Sequence, residues 1–315
     1  MQQQFRNTSR DAVIFVLGAI AALSLAILSN TATGQAAPST QNSSGDWKQV
    51  EDAMGRPGQM MEDVIKFGMP RKDLHVTLNG VAIKPGLALG SWIAFKKAEN
   101  GVMVMGDLVL TEEEVEPVMR KLQEGGVEIA AVHNHLIGES PRVMYMHVAS
   151  HGDAVKMAKA IHDAVALTKT PGPDAGGPAA TSPEALGIDQ KKIEDLLGHP
   201  GKVNGGVLQI TVPRAETITD NGMAVPPSMG VGSALNFQPT GNGKAAITGD
   251  FVLAGKEVNP VMKALRENGI EITALHSHML TEEPRLFFMH FWANDDAMKL
   301  ANGLRAAVDI TNSKK

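Results

Sequence analysis

The chain has no cysteine. That excludes disulfides, zinc–thiolate sites, thiol nucleophiles and a lipid-modified N-terminal cysteine. Aromatic residues are scarce, 4% of 315, with a single tyrosine, so the cores must be filled by aliphatic side chains and the 17 methionines. Positive charge is not in excess: 29 Lys and Arg stand against 34 Asp and Glu, for a formal net charge of −5. Nucleic acid binding draws on a basic face, so no nucleic-acid partner is expected. Long apolar runs are also few. The one that stands out, Ala12 to Leu28, is interrupted only by Ser24.

That run follows Arg6 and Arg10 and precedes small residues. It reads as a signal peptide over residues 1–36, cut after Gly34-Gln35-Ala36. The run is at the short end of what crosses a bilayer, so cleavage is favoured over a retained anchor. The mature chain is then expected to be exported, periplasmic or extracellular, without stable membrane insertion. Residues 37–46 (APSTQNSSGD) read as a disordered mature N-terminus.

What remains is written twice. Residues 47–168 and 190–311 read as two tandem homologous domains, joined by a Pro/Gly/Ala-rich linker at 169–189. Each copy begins with a short helix (Trp47 to Met54; Lys192 to Leu197). A hairpin signal follows at Asn79-Gly80 and again at Asn221-Gly222. Strands are expected over Leu87–Phe95 and Val102–Leu110, matched by Met229–Phe237 and the stretch containing Gly249-Asp250. The next helix opens with Thr111 and Glu114 spaced as a capping box; in the second copy Ala254 replaces the threonine. Pro117 and Pro260 are expected near its start, where a missing amide is tolerated. The last helix is expected over Asp153–Leu167 and Asp295–Val308. The order predicts an α+β fold in each copy: a mostly antiparallel sheet with helices on one face, a ferredoxin-like variant.

Between the two helices of each copy lies the stretch richest in ligand-type side chains. It reads VEIAAVHNHLIGESPRVMYMHV in the first copy and IEITALHSHMLTEEPRLFFMHF in the second. On a strand, side chains alternate between faces. Ile129, Ala131, His133 and His135 then share a face. With a turn over Ile137–Pro141, His133 falls opposite Tyr145, and His147 lies diagonal to it on the same face. Three imidazoles and a carboxylate on one hairpin are a plausible ligand set for a divalent transition metal, zinc among the candidates. The expected ligands are His133, His135, Glu139 and His147, with His276, His278, Glu282 and His290, forming one site per copy or one shared between copies. Glu139 and Glu282 are alternatively general bases. Arg142, Arg285 and Tyr145 are candidates for binding substrate. The competing reading of each is structural: hydrogen-bonded histidines, a Glu–Arg pair across a turn, and a tyrosine used for packing. Asp107 and Asp250, each after a glycine, are candidates to orient a histidine or are solvated residues at a bend. His75 and His151 occur in the first copy only and read as exposed. Three metal-site patterns come close and fail: no glycine follows Glu139 as in cupins, no Ser-x-x-Asp follows His276-Ser277-His278 as in JAMM-type peptidases, and the histidines are too local for a metallohydrolase barrel.

The runs GDLVLTEEEVEPVM, GGVEIAAVHNHLIGESPRVMYMH and HGDAVKMAKAIHDAV resemble the LppY/LpqO family of exported bacterial proteins, and GDFVLAGKEVNPVM with GIEITALHSHMLTEEPRLFFMH resembles a diverged second member. That resemblance implies export and duplication but no established activity; members named as lipoproteins carry an acylated cysteine, which this chain lacks. The functional expectation from the histidine pattern is an exported protein of unknown specific activity with a divalent-metal site in each repeat, with a metal-dependent hydrolase or lyase acting on a small-molecule or envelope-polymer ligand as the enzymatic reading. The alternatives are a non-enzymatic metal- or ligand-binding envelope protein and a structural scaffold.

Overall fold

The structure is a computed structural model that describes residues 43–99, 101–173 and 186–314. The expected signal peptide and most of the linker lie outside the described residues. Both copies belong to one compact unit, Asn42–Lys315.

The first copy runs α1 (Ser43–Met54), β1 (Gln59–Met61), β2 (Val64–Pro70), the β3–β4 hairpin (Thr77–Leu78, Val81–Ala82), α2 (Pro85–Ala88), β5 (Gly90–Ala98), β6 (Gly101–Thr111), α3 (Glu112–Glu124), β7 (Ile129–His133), β8 (Val143–Gly152) and α4 (Ala154–Val165). The second repeats it: α5 (Gln190–Leu197), β9 (Gly201–Asn204), β10 (Val207–Pro213), β11 (Ile218–Asp220), β12 (Met223–Val225), a 3-10 turn at Pro227–Met229, β13 (Gly232–Gly241), β14 (Lys244–Ala254), α6 (Gly255–Glu267), β15 (Glu271–His276), β16 (Glu282–Glu283), β17 (Leu286–Asp296) and α7 (Ala297–Val308). The sheet orders are β1-β2-β5-β6-β8-β7 and β9-β10-β13-β14-β17-β15, with antiparallel pairing throughout. Within each, the β5-β6-α3-β7-β8-α4 path gives the strand order of a ferredoxin-like sheet whose last strand has moved to the front.

Period-two alternation divides each strand between two cores. On β6, Val102, Val104, Leu108 and Leu110 pack beneath α1, α3 and α4. Met103, Met105 and Val109 point the other way and meet side chains of the second copy, including Val252, Phe288 and Trp292. β14 and β17 do the same in reverse, giving Ile247, Phe251, Met289 and Phe291 to their own helices. The order of layers is helices, sheet, sheet, helices. Two mixed cores stand between the sheets, and the histidine face of each hairpin is held there too.

Several local expectations shift. Strand β5 begins at Gly90, not Leu87, because Pro85 opens a short helix; β13 likewise begins at Gly232 after the turn at Pro227–Met229. Pro117 and Pro260 lie in the second turn of α3 and α6 rather than the first, on exposed positions where the freed carbonyl can face water. The capping glutamates do more than cap. Glu114 accepts from the Thr111 N–H at 2.9 Å, and Glu257 from the Ala254 N–H at 2.7 Å. Both also pair with a buried arginine: Arg71 with Glu114 at 2.7 Å, Arg214 with Glu257 at 2.7 Å. That pairing holds both carboxyls below their ordinary range, outweighing burial. It explains why the glutamate persists in the second copy after the capping threonine is lost.

Candidate metal centre

β7 pairs with β8 so that His133 stands opposite Tyr145, as the hairpin geometry predicts. A bulge between Ile129 and Ala131 sets Ala131 opposite His147. It also turns Ile129 toward the helices, off the histidine face. β15 carries the same irregularity between Ile272 and Ala274 and sets His276 opposite Phe288.

The two hairpins meet each other. His133 and His276 stack with ring centres 3.6 Å apart. His135 lies 3.7 Å from His290, and its counterpart His278 lies 3.9 Å from His147. His133 to His147 is 4.9 Å, and His276 to His290 is 4.8 Å. Matched distances between exchanged partners are the mark of a two-fold relation, here between the copies of one chain. Asn134 and Thr273 lock the crossing: the Asn134 amide donates to the Thr273 carbonyl at 2.9 Å, and the Thr273 hydroxyl donates to the His135 carbonyl at 2.6 Å.

Three overlapping triads have ligand atoms within 4.8 Å of one another: His133 with His276 and His290, His133 with His135 and His147, and His147 with His276 and His278. Together they join all six histidines. Ligands about 2.0–2.1 Å from one tetrahedral ion lie roughly 3.4 Å apart, so loading requires ring nitrogens up to 4.8 Å apart to close by as much as about 1.4 Å.

The outer nitrogens fix the inner ones. The Nδ1 atoms of His147, His290 and His278 face the carbonyls of Gly106 (3.2 Å), Gly249 (2.7 Å) and Gly230 (3.2 Å). A carbonyl only accepts, so Nδ1 carries the proton and the Nε2 of a neutral ring presents a lone pair to the centre. The glycines are required by space as well. A Cβ on Gly106 would stand 2.6 Å from the Trp92 carbonyl, and one on Gly249 would stand 1.8 Å from the Ala234 carbonyl. The Gly-Asp dipeptides thus supply two things: a carbonyl for the histidine and, one residue on, a buried carboxylate beside it. Asp107 Oδ2 lies 3.5 Å from His135 Nε2, and Asp250 Oδ2 lies 3.1 Å from His278 Nε2. With Nδ1 of His278 protonated, its Nε2 lone pair faces a carboxylate oxygen. Two acceptors at that distance need a proton or a metal ion between them.

The electrostatics fit a site built for cations but lacking charge of its own. Burial, aided by the neighbouring imidazoles, pushes His133 down to about 3 and holds His135, His147 and His276 well below the ordinary histidine range. Burial lowers His290 too, against the pull of Asp250. The two aspartates are driven apart. Burial and the charge of Asp250 raise Asp107; Asp250 is lowered despite its burial only to the extent that the facing His290 and His278 rings are protonated. Nine side-chain atoms of this cluster are buried without a hydrogen-bond partner: an Oδ1 of each aspartate, the Nε2 of all six histidines, and Nδ1 of His276. Such groups are normally paired.

The other expected site residues lie elsewhere. Glu139 and Glu282 join none of the triads. The chain leaves the histidine face after His135 and His278, and each glutamate folds back to accept a backbone N–H across its own turn, from Val143 at 3.4 Å and Leu286 at 3.0 Å. The Asn-Gly hairpins hold these turns, Thr77 bridging to Ser140 and Thr219 to Glu283. Arg142 is exposed beside Glu112 at 3.7 Å, while Arg285 pairs with Glu282 at 3.2 Å. Neither lines the cleft that reaches the histidines. Tyr145 is fully buried; its hydroxyl donates to the Ala88 carbonyl at 2.9 Å and its ring stacks on His135, as Phe288 stacks on His278. Both rings orient a histidine, and the hydroxyl is already committed. His151 is half-buried 3.7 Å from Asp220, and His75 is exposed.

A cleft of about 1320 Å³ opens between the copies onto this centre, with Asp107, Asp250, His135, His147, His278 and His290 along it. Its walls include Lys66 and Trp92, which motif spacing does not single out. The signal available was the difference between copies: Gln209 and Ala234 stand at the equivalent positions.

No curated protein sequence matches the chain. Two solved structures are similar at low level. A trimeric bacterial microcompartment shell protein, PduB, is 12% identical over 81% of this chain and 89% of its own, with a TM-score of 0.21. EtuB from Clostridium kluyveri is 10% identical over 80% and 88%, with a TM-score of 0.19. Neither score supports an argument about this chain. The family model described as Domain of Unknown Function (DUF1259) matches residues 48–167 and again 191–310, so the chain belongs to that family as two tandem copies.

Proposed function

We propose that the six histidines, with Asp107 and Asp250, form one divalent transition-metal centre shared between the copies, and that the chain is an exported metal-dependent hydrolase or lyase. The observation that carries the reading is the cluster of buried, unpartnered imidazole nitrogens, turned inward by backbone carbonyls and drawn from both copies. Neutral imidazole and carboxylate suit zinc and its neighbours in the first transition row. A metal held there would supply Lewis acidity and lower the pKa of water. The chain's own groups supply the rest. His147, His278 and His290 are fixed as lone-pair donors. Tyr145 and Phe288 hold the rings of His135 and His278. Asp107 and Asp250 place a carboxylate oxygen beside the Nε2 atoms of His135 and His278 and would add negative charge to the ion's surroundings. The cleft gives a ligand access that a purely structural site would not need. Export and the tie to LppY/LpqO proteins belong to the same proposal, supported by the N-terminal sequence and the quoted runs.

Elemental analysis of the mature, tag-free protein is the test. At least one zinc-class ion per chain, and a rise in thermal midpoint on adding it, are expected. Less than about 0.1 ion per chain with no thermal response removes the metal. Hydrolysis of ester or envelope-polymer substrates by the loaded protein, lost in His147→Ala, supports an enzyme; loaded protein inert across these substrates leaves a metal-binding protein.

A further inference from the structure

The cleft carries positive charge that its walls do not neutralise. Lys66, Lys84 and Lys202 all line it, and among the described residues none is paired with a carboxylate. Among the described residues, the only acidic ones lining the cleft are Asp107 and Asp250, on the histidine floor. Lys66 is the sharpest case. It projects from β2 into the space between the copies, where its Nζ donates to the Ser228 carbonyl at 2.9 Å and sits 3.9 Å from the centre of the Trp92 ring. Both contacts stabilise a cation, and neither is an anion. Burial, with Lys202 adding to it and the charge of Asp107 opposing it, lowers this ammonium to about 8. A half-buried cation with no carboxylate within ion-pair reach is costly, and an anionic ligand would supply the nearer charge. The second copy has no equivalent. Gln209 stands in place of Lys66 and donates to the Gly86 carbonyl at 2.7 Å, and Ala234 stands in place of Trp92. The floor is therefore two-fold and the wall is not.

We propose that this wall binds the oxyanion of the ligand, a carboxylate or a phosphate, with Lys66 as anchor and Lys202 and Lys84 along the approach. Because the anchor occurs once, a ligand enters in one orientation despite the near-symmetric floor. The proposal rests on the metal reading only for where the rest of the ligand goes.

Calorimetric titration of the full mature chain tests it at low ionic strength, where such attraction is least screened. Inorganic phosphate and glucuronate serve as probes, each with zinc present and with zinc removed, and the pair tells phosphate from carboxylate preference. Saturable binding of at least one probe is expected. Lys66→Met should weaken it at least ten-fold with metal content unchanged. Lys202→Gln, at an exposed position that cannot unfold the core, should weaken it about three-fold. Binding of neither probe at 10 mM, or binding by both variants within two-fold of the parent, overturns the proposal. Anion binding by a chain that holds no metal would support the lysine wall while removing the metal centre, so the two readings fail separately.

Discussion

Acid should unfold the metal-free protein earlier than its carboxylates would require. Unfolded histidines titrate near 6.5, whereas burial keeps His133 neutral down to about 3. Above pH 6.5 both states are neutral and the imidazole contributes nothing. As pH falls below 6.5 the unfolded chain takes up a proton that the folded chain refuses, and the loss grows until the folded group titrates near 3. At pH 5 the gap is about 1.5 pH units, so His133 alone removes about 2 kcal/mol. His135, His147, His276 and His290 are shifted in the same direction and add to it. For a chain of this size about 2 kcal/mol lowers the thermal midpoint by roughly 3 °C, and the other rings add to that. Scanning calorimetry of chelator-treated protein from pH 8 to pH 5 reads it directly. A midpoint that stays flat between pH 7.5 and 5.5 would refute the claim that these rings are buried and unpaired.

Three substitutions extend the argument. His276 has both ring nitrogens buried and unpartnered, so His276→Leu should stabilise the metal-free chain by roughly 1–3 kcal/mol in urea denaturation while abolishing the stabilisation by zinc; a destabilised variant would contradict this. Glu282→Ala removes the acceptor for the Leu286 N–H and should cost about 1 kcal/mol with metal content intact; loss of metal would restore Glu282 as a ligand. Glu257→Ala leaves the buried Arg214 with Glu216 as its one carboxylate beside the Val252 carbonyl and should cost about 3 kcal/mol without changing metal per folded chain.

Much of this fold is legible in the residues because the deciding interactions are local. Asn79-Gly80 and Asn221-Gly222 both take the left-handed conformations that a tight hairpin needs. Asp153 caps α4 through the Lys156 N–H. Alternation along β8 separates Met146 and Val148 from Tyr145 and His147. The histidines could be collected onto a face for the same reason. What spacing does not carry is which surface that face meets. The contact of His135 with His290 joins residues from different copies, and no period within either copy encodes it. Glu139 misleads in the opposite way: it is near His135 in sequence, but the turn carries its side chain to a backbone amide instead. Lys66 has no motif at all, and only its replacement by Gln209 marks it.

The central claim is that side chains from both copies hold the same ion. Anomalous diffraction at the zinc edge, from crystals of tag-free protein loaded with zinc, tests it most directly. The account predicts a peak between the hairpins, bounded by His147 with His276 and His278 or by His133 with His276 and His290. A peak held by one copy alone, a peak at Glu139 or Glu282, or no peak among the six imidazoles would contradict it.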